Sequence, residues 1–209
     1  MESIIFDLDG TLWDSTEGAA IVWKEIASKN PAIKDEVTGP KLKKLYGLPL
    51  EEIATGLFKS VSKAVAIQTM EECVVAQCPY LASHGGVLLG KIEETLKILS
   101  KKYKLMIVSN CKSGYIEAFL EAHQLGQYFI DHECPGGTGL LKADNIRLVM
   151  ERNQIQDAIY VGDTEGDEVA AHQAGLQFIY ARYGFGEAKN YEYVIDSFEE
   201  LISLMENIN

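Results

Sequence analysis

Four short, uninterrupted apolar runs, at residues 3–6, 105–108, 158–161 and 177–181, constrain this chain more than any other feature. A strand with one face in water alternates apolar and polar residues, whereas an unbroken run belongs to a strand covered on both faces. Between the runs lie segments with helical spacing: Ile92, Leu96 and Leu99, then Ile116, Phe119 and Leu120, then Ile146, Val149 and Met150, and finally Phe198, Leu201 and Leu204. Strand and helix alternate, which predicts an α/β fold with a Rossmann-like, mostly parallel sheet.

Residues 13–83 break this rhythm. They carry amphipathic patterns over about 18–28, 50–58 and 62–77 and no buried strand. This predicts a small all-helical cap domain, residues 15–84, inserted after the first strand of a core formed by residues 1–14 and 85–209. With 209 residues, 47% of them hydrophobic, one sizeable core and a smaller unit can both be closed. Segment 14–16 and the Gly85-Gly86 pair are the expected hinges, and Trp13 and Trp23 are expected in the packing.

A formal net charge of −12 argues against a nucleic-acid or anionic-membrane surface. No run of eighteen apolar residues suggests a membrane span, and the pattern that starts at Ser3 follows no basic-plus-apolar leader, so a cytoplasmic monomer or homodimer is expected. Cys73, Cys78, Cys111 and Cys134 form no C-x-x-C pair and read as packing thiols, and His132 to Cys134 reads as a loop.

In an open parallel sheet, ligands meet the carboxyl ends of the strands. Asp7 and Asp9 follow the first run, Ser109 and Asn110 the second, and Asp163 and Asp167, in "GDTEGD", the third. Two unit charges 4 Å apart at an effective dielectric of 20 repel by about 4 kcal/mol, so converging acids call for a cation. The donors are hard oxygens, which suit Mg²⁺ and, with it, a phosphoryl group. Asp7 could then attack phosphorus while Asp9, on the same side of an extended backbone, handles the proton. Ser109, Asn110 and Lys142, which follows "CPGGTGLL" ahead of a helix expected near Asp144, could meet the phosphoryl oxygens. Each motif alone has a plainer reading: Asp-Gly as a turn, Gly162-Asp163 as a helix cap, Lys142 as a surface residue.

Together, "DLDGTL", "VSN", Lys142 and "GDTEGD", in that order, resemble the four motifs of the haloacid dehalogenase superfamily. The helical insert and "KLKKLYGLPLEEI" are similar to the cap of its phosphoglycolate phosphatase and β-phosphoglucomutase-like subgroup. The resemblance implies Asp7 as nucleophile, Asp9 as acid/base, Ser109 as phosphate ligand and Lys142 as charge stabiliser. It further implies Mg²⁺ on Asp7, Asp9 (through its backbone carbonyl) and Asp163, with Asp167 acting directly or through water. Ala143 departs from the Lys-Pro pair of many relatives, and Asp9 argues for phosphoryl transfer over dehalogenation.

The expected activity is hydrolysis of a small phosphorylated metabolite, phosphoglycolate being the leading suggestion of the resemblance. A β-phosphoglucomutase-like mutase and a pyrophosphatase share the same core motifs and stay open. A phospho-accepting signalling module or a non-catalytic binding protein is the alternative of another class. Lys41, Lys43 and Lys44 form a local cationic cluster in the insert, with Lys44 the expected substrate contact, and Arg182 with Tyr183 could line the cleft rim.

Overall fold

A computed structural model describes residues 1–208. In chain order the elements begin with strands β1 (Ser3–Phe6) and β2 (Trp13–Asp14) and helices α1 (Thr16–Ser28), α2 (Gly39–Lys43), α3 (Leu50–Leu57) and α4 (Lys63–His84). They continue with β3 (Val87–Leu88), α5 (Ile92–Leu99), β4 (Lys104–Val108), α6 (Tyr115–His123), β5 (Phe129–Glu133) and α7 (Pro135–Thr138). The chain ends through α8 (Lys142–Arg152), β6 (Ala158–Gly162), α9 (Glu165–Gln173), β7 (Gln177–Ala181), β8 (Tyr193–Ile195) and α10 (Glu200–Asn207).

Six strands form one parallel sheet in the order β5-β4-β1-β6-β7-β8. The chain builds outward from β1 to one edge and then crosses to the other side of it, so the strand order reverses at β1, where a ligand crevice forms. Side chains of successive strand residues point to opposite faces. Ile4 and Phe6 pack with Leu105, Ile107, Ile159 and Val161 beneath α5, α6 and α10, while Ile5 packs with Met106, Tyr160 and Phe178 beneath α8 and α9. Both faces are covered, which is why these strands read as unbroken apolar runs.

The four apolar runs lie in β1, β4, β6 and β7 within a residue at each end. Two strands of the six-stranded sheet were not expected, nor was the short pair β2 and β3. β5 is an edge strand whose residues are half-buried or exposed, and its polar sequence FIDHE hides it; His132 therefore belongs to a strand and not to a loop. β8 has only three residues and forms the opposite edge.

Between β2 and β3, α1 to α4 close around their own apolar cluster, which includes Trp23, Leu42, Ile53, Phe58 and Met70. α4 runs to His84 with Pro79 inside it, seven residues beyond the 62–77 expectation. The two-residue strands β2 and β3 pair antiparallel, Trp13 opposite Leu88 and Asp14 opposite Val87, so the outgoing and returning chain run side by side. A side chain at Gly86 would meet the Asp14 carbonyl at 2.7 Å, so only glycine lets the two segments approach this closely. Trp13 and Trp23 are both buried. No helix among the described residues is long and apolar enough to cross a membrane.

Candidate active site

β1 ends at Phe6, and the next residues carry the first acids directly into the crevice. Asp7 keeps the sheet's pairing through its N–H, which donates to the Val161 carbonyl at 2.8 Å. The chain then turns tightly: Gly10 N–H donates to the Trp13 carbonyl, and Leu12 N–H to that of Leu8. Gly10 has φ +80°, and a Cβ there would lie 2.2 Å from Asp163 Oδ2. Glycine at this position thus serves both the left-handed turn and the space for Asp163.

Asp7, Asp163 and Asp167 are buried and bring one carboxylate oxygen each within 4.8 Å of the others. Lys142 lies among them, its Nζ 2.7 Å from Asp7 Oδ1 and 2.5 Å from Asp167 Oδ1. It is the first residue of α8, two residues earlier than the expected helix start, and Leu141 is its N-cap. The glycine-containing segment before it is not an open loop throughout, since Pro135–Thr138 form the short helix α7.

Asp167 is fixed at the start of α9 by a reciprocal cap. Thr164 Oγ1 accepts from the Asp167 N–H, and Asp167 Oδ2 accepts from the Thr164 N–H at 3.0 Å. Asp163 Oδ2 accepts from the Phe185 and Gly186 N–H groups. Its other oxygen, Oδ1, is buried with no hydrogen-bond partner.

The electrostatics follow from this crowding. Burial, the largest influence, and the Asp167 charge push the Asp7 carboxyl up to about 6 against the opposing pull of Lys142 and Ser109. Burial and the charges of Asp167 and Asp7 push Asp163 well above the usual carboxylate range. Lys142 is held well above the ordinary lysine value, because the attraction of Asp167 and Asp7 outweighs its burial. One lysine faces three buried acids, and one acid oxygen has no donor. An all-oxygen set with a net negative charge and an orphaned lone pair fits a hard divalent cation.

Asp9 stands apart from that cluster. Its Oδ1 accepts from the Tyr115 hydroxyl at 2.8 Å and from Ser15 at 3.1 Å, and these two hydroxyls bond each other at 2.6 Å. Burial, then the Asp7 charge, raise its carboxyl to about 8 despite those two donors. Tyr115 and Ser15 were not legible as site residues, since a tyrosine in "GYIEAF" and a serine after "WD" carry no motif; only the docking of α6 beside β2 brings them to Asp9.

The remaining sequence candidates divide. Ser109 is buried just after β4, and its hydroxyl faces Asp7 closely enough to lower that carboxyl's value. Asn110 lines a cavity of about 440 Å³ that opens from Asp9 and Lys142. Lys44 is exposed and does not line that cavity. Lys43 instead reaches the core, pairing with Asp14 at 2.8 Å and standing 4.5 Å over the Phe185 ring. Arg182 is exposed and engages Asp196 through two hydrogen bonds, away from the cavity. Tyr183 faces inward, its hydroxyl donating to the Thr11 carbonyl.

The sequence matches the model of the haloacid dehalogenase-like hydrolase family over residues 4–181. It is 30% identical to a phosphoglycolate phosphatase of Vibrio parahaemolyticus, across 97% of this chain and 95% of that protein. A phosphoglycolate phosphatase of Aquifex aeolicus is 25% identical across 99% and 98%. Among solved structures, a predicted phosphatase from Clostridium acetobutylicum superimposes with a TM-score of 0.80 at 26% identity, covering 99% of each chain. With its strand order, its acids at the ends of β1 and β6 and these likenesses, the chain belongs to the haloacid dehalogenase-like hydrolases.

Proposed function

We propose that this protein is a Mg²⁺-dependent phosphatase that hydrolyses a small organic phosphomonoester through a phosphorylated Asp7. The observation that carries this reading is the placement of Lys142 Nζ between Asp7 and Asp167 while Asp9 is held apart by Tyr115 and Ser15. One acid is thereby paired with positive charge and the other is kept for protons.

A carboxylate oxygen of Asp7 forms a bond to phosphorus as the bond from phosphorus to the leaving oxygen breaks, and Asp9 gives that oxygen its proton. The raised value of Asp9, about 8, keeps a proton available at neutral pH. A water then attacks phosphorus and gives its proton to Asp9, and the Asp7–phosphorus bond breaks to release inorganic phosphate and restore both acids. The Ser109 hydroxyl and Lys142 donate to the phosphoryl oxygens as charge spreads over them. Mg²⁺ held by Asp7, Asp163, Asp167 and the Asp9 backbone carbonyl would supply further positive charge to that group. The helices α1 to α4 act as a cap over the crevice, which lies between them and the strand ends.

The relatives' names make phosphoglycolate the first compound to assay. Phosphate release measured with Mg²⁺ and with a chelator tests the reading, together with rapid-quench detection of a phosphorylated Asp7. Metal-dependent release is expected; release unaffected by the chelator, or no phosphorylated Asp7 during turnover, overturns it.

A further inference from the structure

The cavity beyond the acids has a definite chemical character. Its wall on the helical side is built by Trp23 of α1, Tyr46, Leu50 and Ile53 at the α3 end, and Val74 and Gln77 of α4. None of these carries a charge. Leu140, Leu141 and Val169 line the side toward the core. The charged residues of the lining are Asp9, Lys142 and Lys112. Lys142 is held by Asp7 and Asp167, and Lys112 is exposed on the core side.

Among the described residues, no lysine of the helical unit lines this cavity. Lys41 pairs with Glu36, Lys43 with Asp14, and Lys44 is outside the lining. Two polar groups of the helical wall have unspent capacity, the Tyr46 hydroxyl, which is buried without a hydrogen-bond partner, and the Gln77 amide. The amide oxygen already accepts from Trp23 Nε1 at 2.8 Å, which leaves the nitrogen as a donor. A carboxylate placed against this wall would lose its water and gain no cation, whereas an apolar group would release water from the wall and be rewarded for it. A volume of about 440 Å³ is also ample for a ring or a branched chain.

We infer that the alcohol part of the substrate is uncharged and largely apolar, an aromatic or branched aliphatic group with at most an acceptor for Gln77 and one for the Tyr46 hydroxyl, and not a carboxylate or a second phosphate. This rests on the phosphatase reading above for its chemistry, and on the cavity alone for its selectivity.

The test compares benzyl phosphate with phosphoglycolate as substrates, and benzylphosphonate with phosphonoacetate as non-hydrolysable ligands by calorimetry, all with Mg²⁺. Benzyl phosphate is expected to have the higher kcat/KM by about tenfold or more, in the range a hydrophobic pocket supplies. Benzylphosphonate is expected to bind the tighter of the pair. Leu50→Lys, at a half-buried position, places a cation in the lining and is expected to narrow the substrate ratio by about tenfold. Equal or better use of phosphoglycolate, equal or tighter binding of phosphonoacetate, or an unchanged ratio in folded Leu50→Lys overturns the inference. Tighter benzylphosphonate binding without phosphate release from either ester overturns the phosphatase reading and leaves the selectivity standing. The phosphonate pair on the unsubstituted protein decides the matter whether or not the variant folds.

Discussion

The Tyr115 hydroxyl donates to Asp9 Oδ1 at 2.8 Å, joining the first turn of α6 to the loop after β1. That bond and the one from Ser15 aim the Asp9 carboxyl without involving it in the Asp7–Asp163–Asp167 cluster. Tyr115→Phe keeps the ring that packs on Trp13 and removes only the donor. It is expected to lower kcat by about tenfold, a fraction of the roughly 10²–10⁴-fold worth of a positioned acid, with KM little changed. Steady-state kinetics on the folded variant checks this, and an unchanged kcat would show that Tyr115 does not position Asp9.

Asp7→Asn is expected to remove turnover by on the order of 10⁴-fold or more, as loss of a nucleophile does elsewhere. Lys142 retains Asp167 as its partner in this variant, so the fold should persist. Circular dichroism and phosphate release together separate the two effects, and substantial residual turnover would refute a covalent role for Asp7.

Lys142→Met leaves Asp7 and Asp167 buried without their cation. Breaking such a buried pair costs about 3–5 kcal/mol, so Tm should fall by many degrees. Saturating Mg²⁺ is expected to recover part of the loss in Tm but little of the activity. If added metal left the Tm of this variant untouched, the acid cluster would not be its binding site.

Metal alone should stabilise the unsubstituted protein. At a hundredfold excess over its Kd, a ligand that binds only the folded state contributes about 2.7 kcal/mol. Asp163→Asn removes charge at the oxygen that lacks a donor, and is expected to abolish most of the Mg²⁺-induced rise in Tm. Thermal denaturation with and without chelator reads this directly.

At the β5 edge, Asp131 accepts from Arg152 and Asn153, and these bonds outweigh its burial to hold its carboxyl below the usual range. A depressed folded-state value means that the contribution to stability is present above the unfolded value of about 3.9 and is lost as pH falls through the lower, folded one. Asp131→Asn should therefore be less stable than the parent at neutral pH, with the difference shrinking toward pH 3. Urea midpoints across that range decide it; a gap independent of pH would place the effect in packing and not in charge.

Strands covered on both faces were legible because burial leaves no polar residue to interrupt them, as in β1, β4, β6 and β7. β5 and β8 were not, because an edge strand keeps its polar residues in water and β8 is three residues long. Acids following apolar runs were legible as strand-end residues, since the sheet's geometry assigns them a common face. Partners of those acids that come from other elements were not: the Tyr115 contact depends on how α6 docks. Nor does sequence say where an exposed cation points, which is why Lys43 meets Phe185 and Asp14 while Lys44 and Arg182 stay outside the cavity.

The pairing of β2 with β3 sets the helical unit on two adjacent stems. Asp14 and Val87 are direct cross-strand partners, so the chain leaves and re-enters the core at adjacent points. Lining residues of α1, α3 and α4 can change while β1, β4 and β6, whose ends carry the acids and Ser109, keep their register, provided that Ser15, which bonds Asp9, and Leu81, which packs into the core cluster, stay in place. Selectivity can thus be rewritten, by natural divergence or by grafting, without touching the residues proposed to transfer the phosphoryl group.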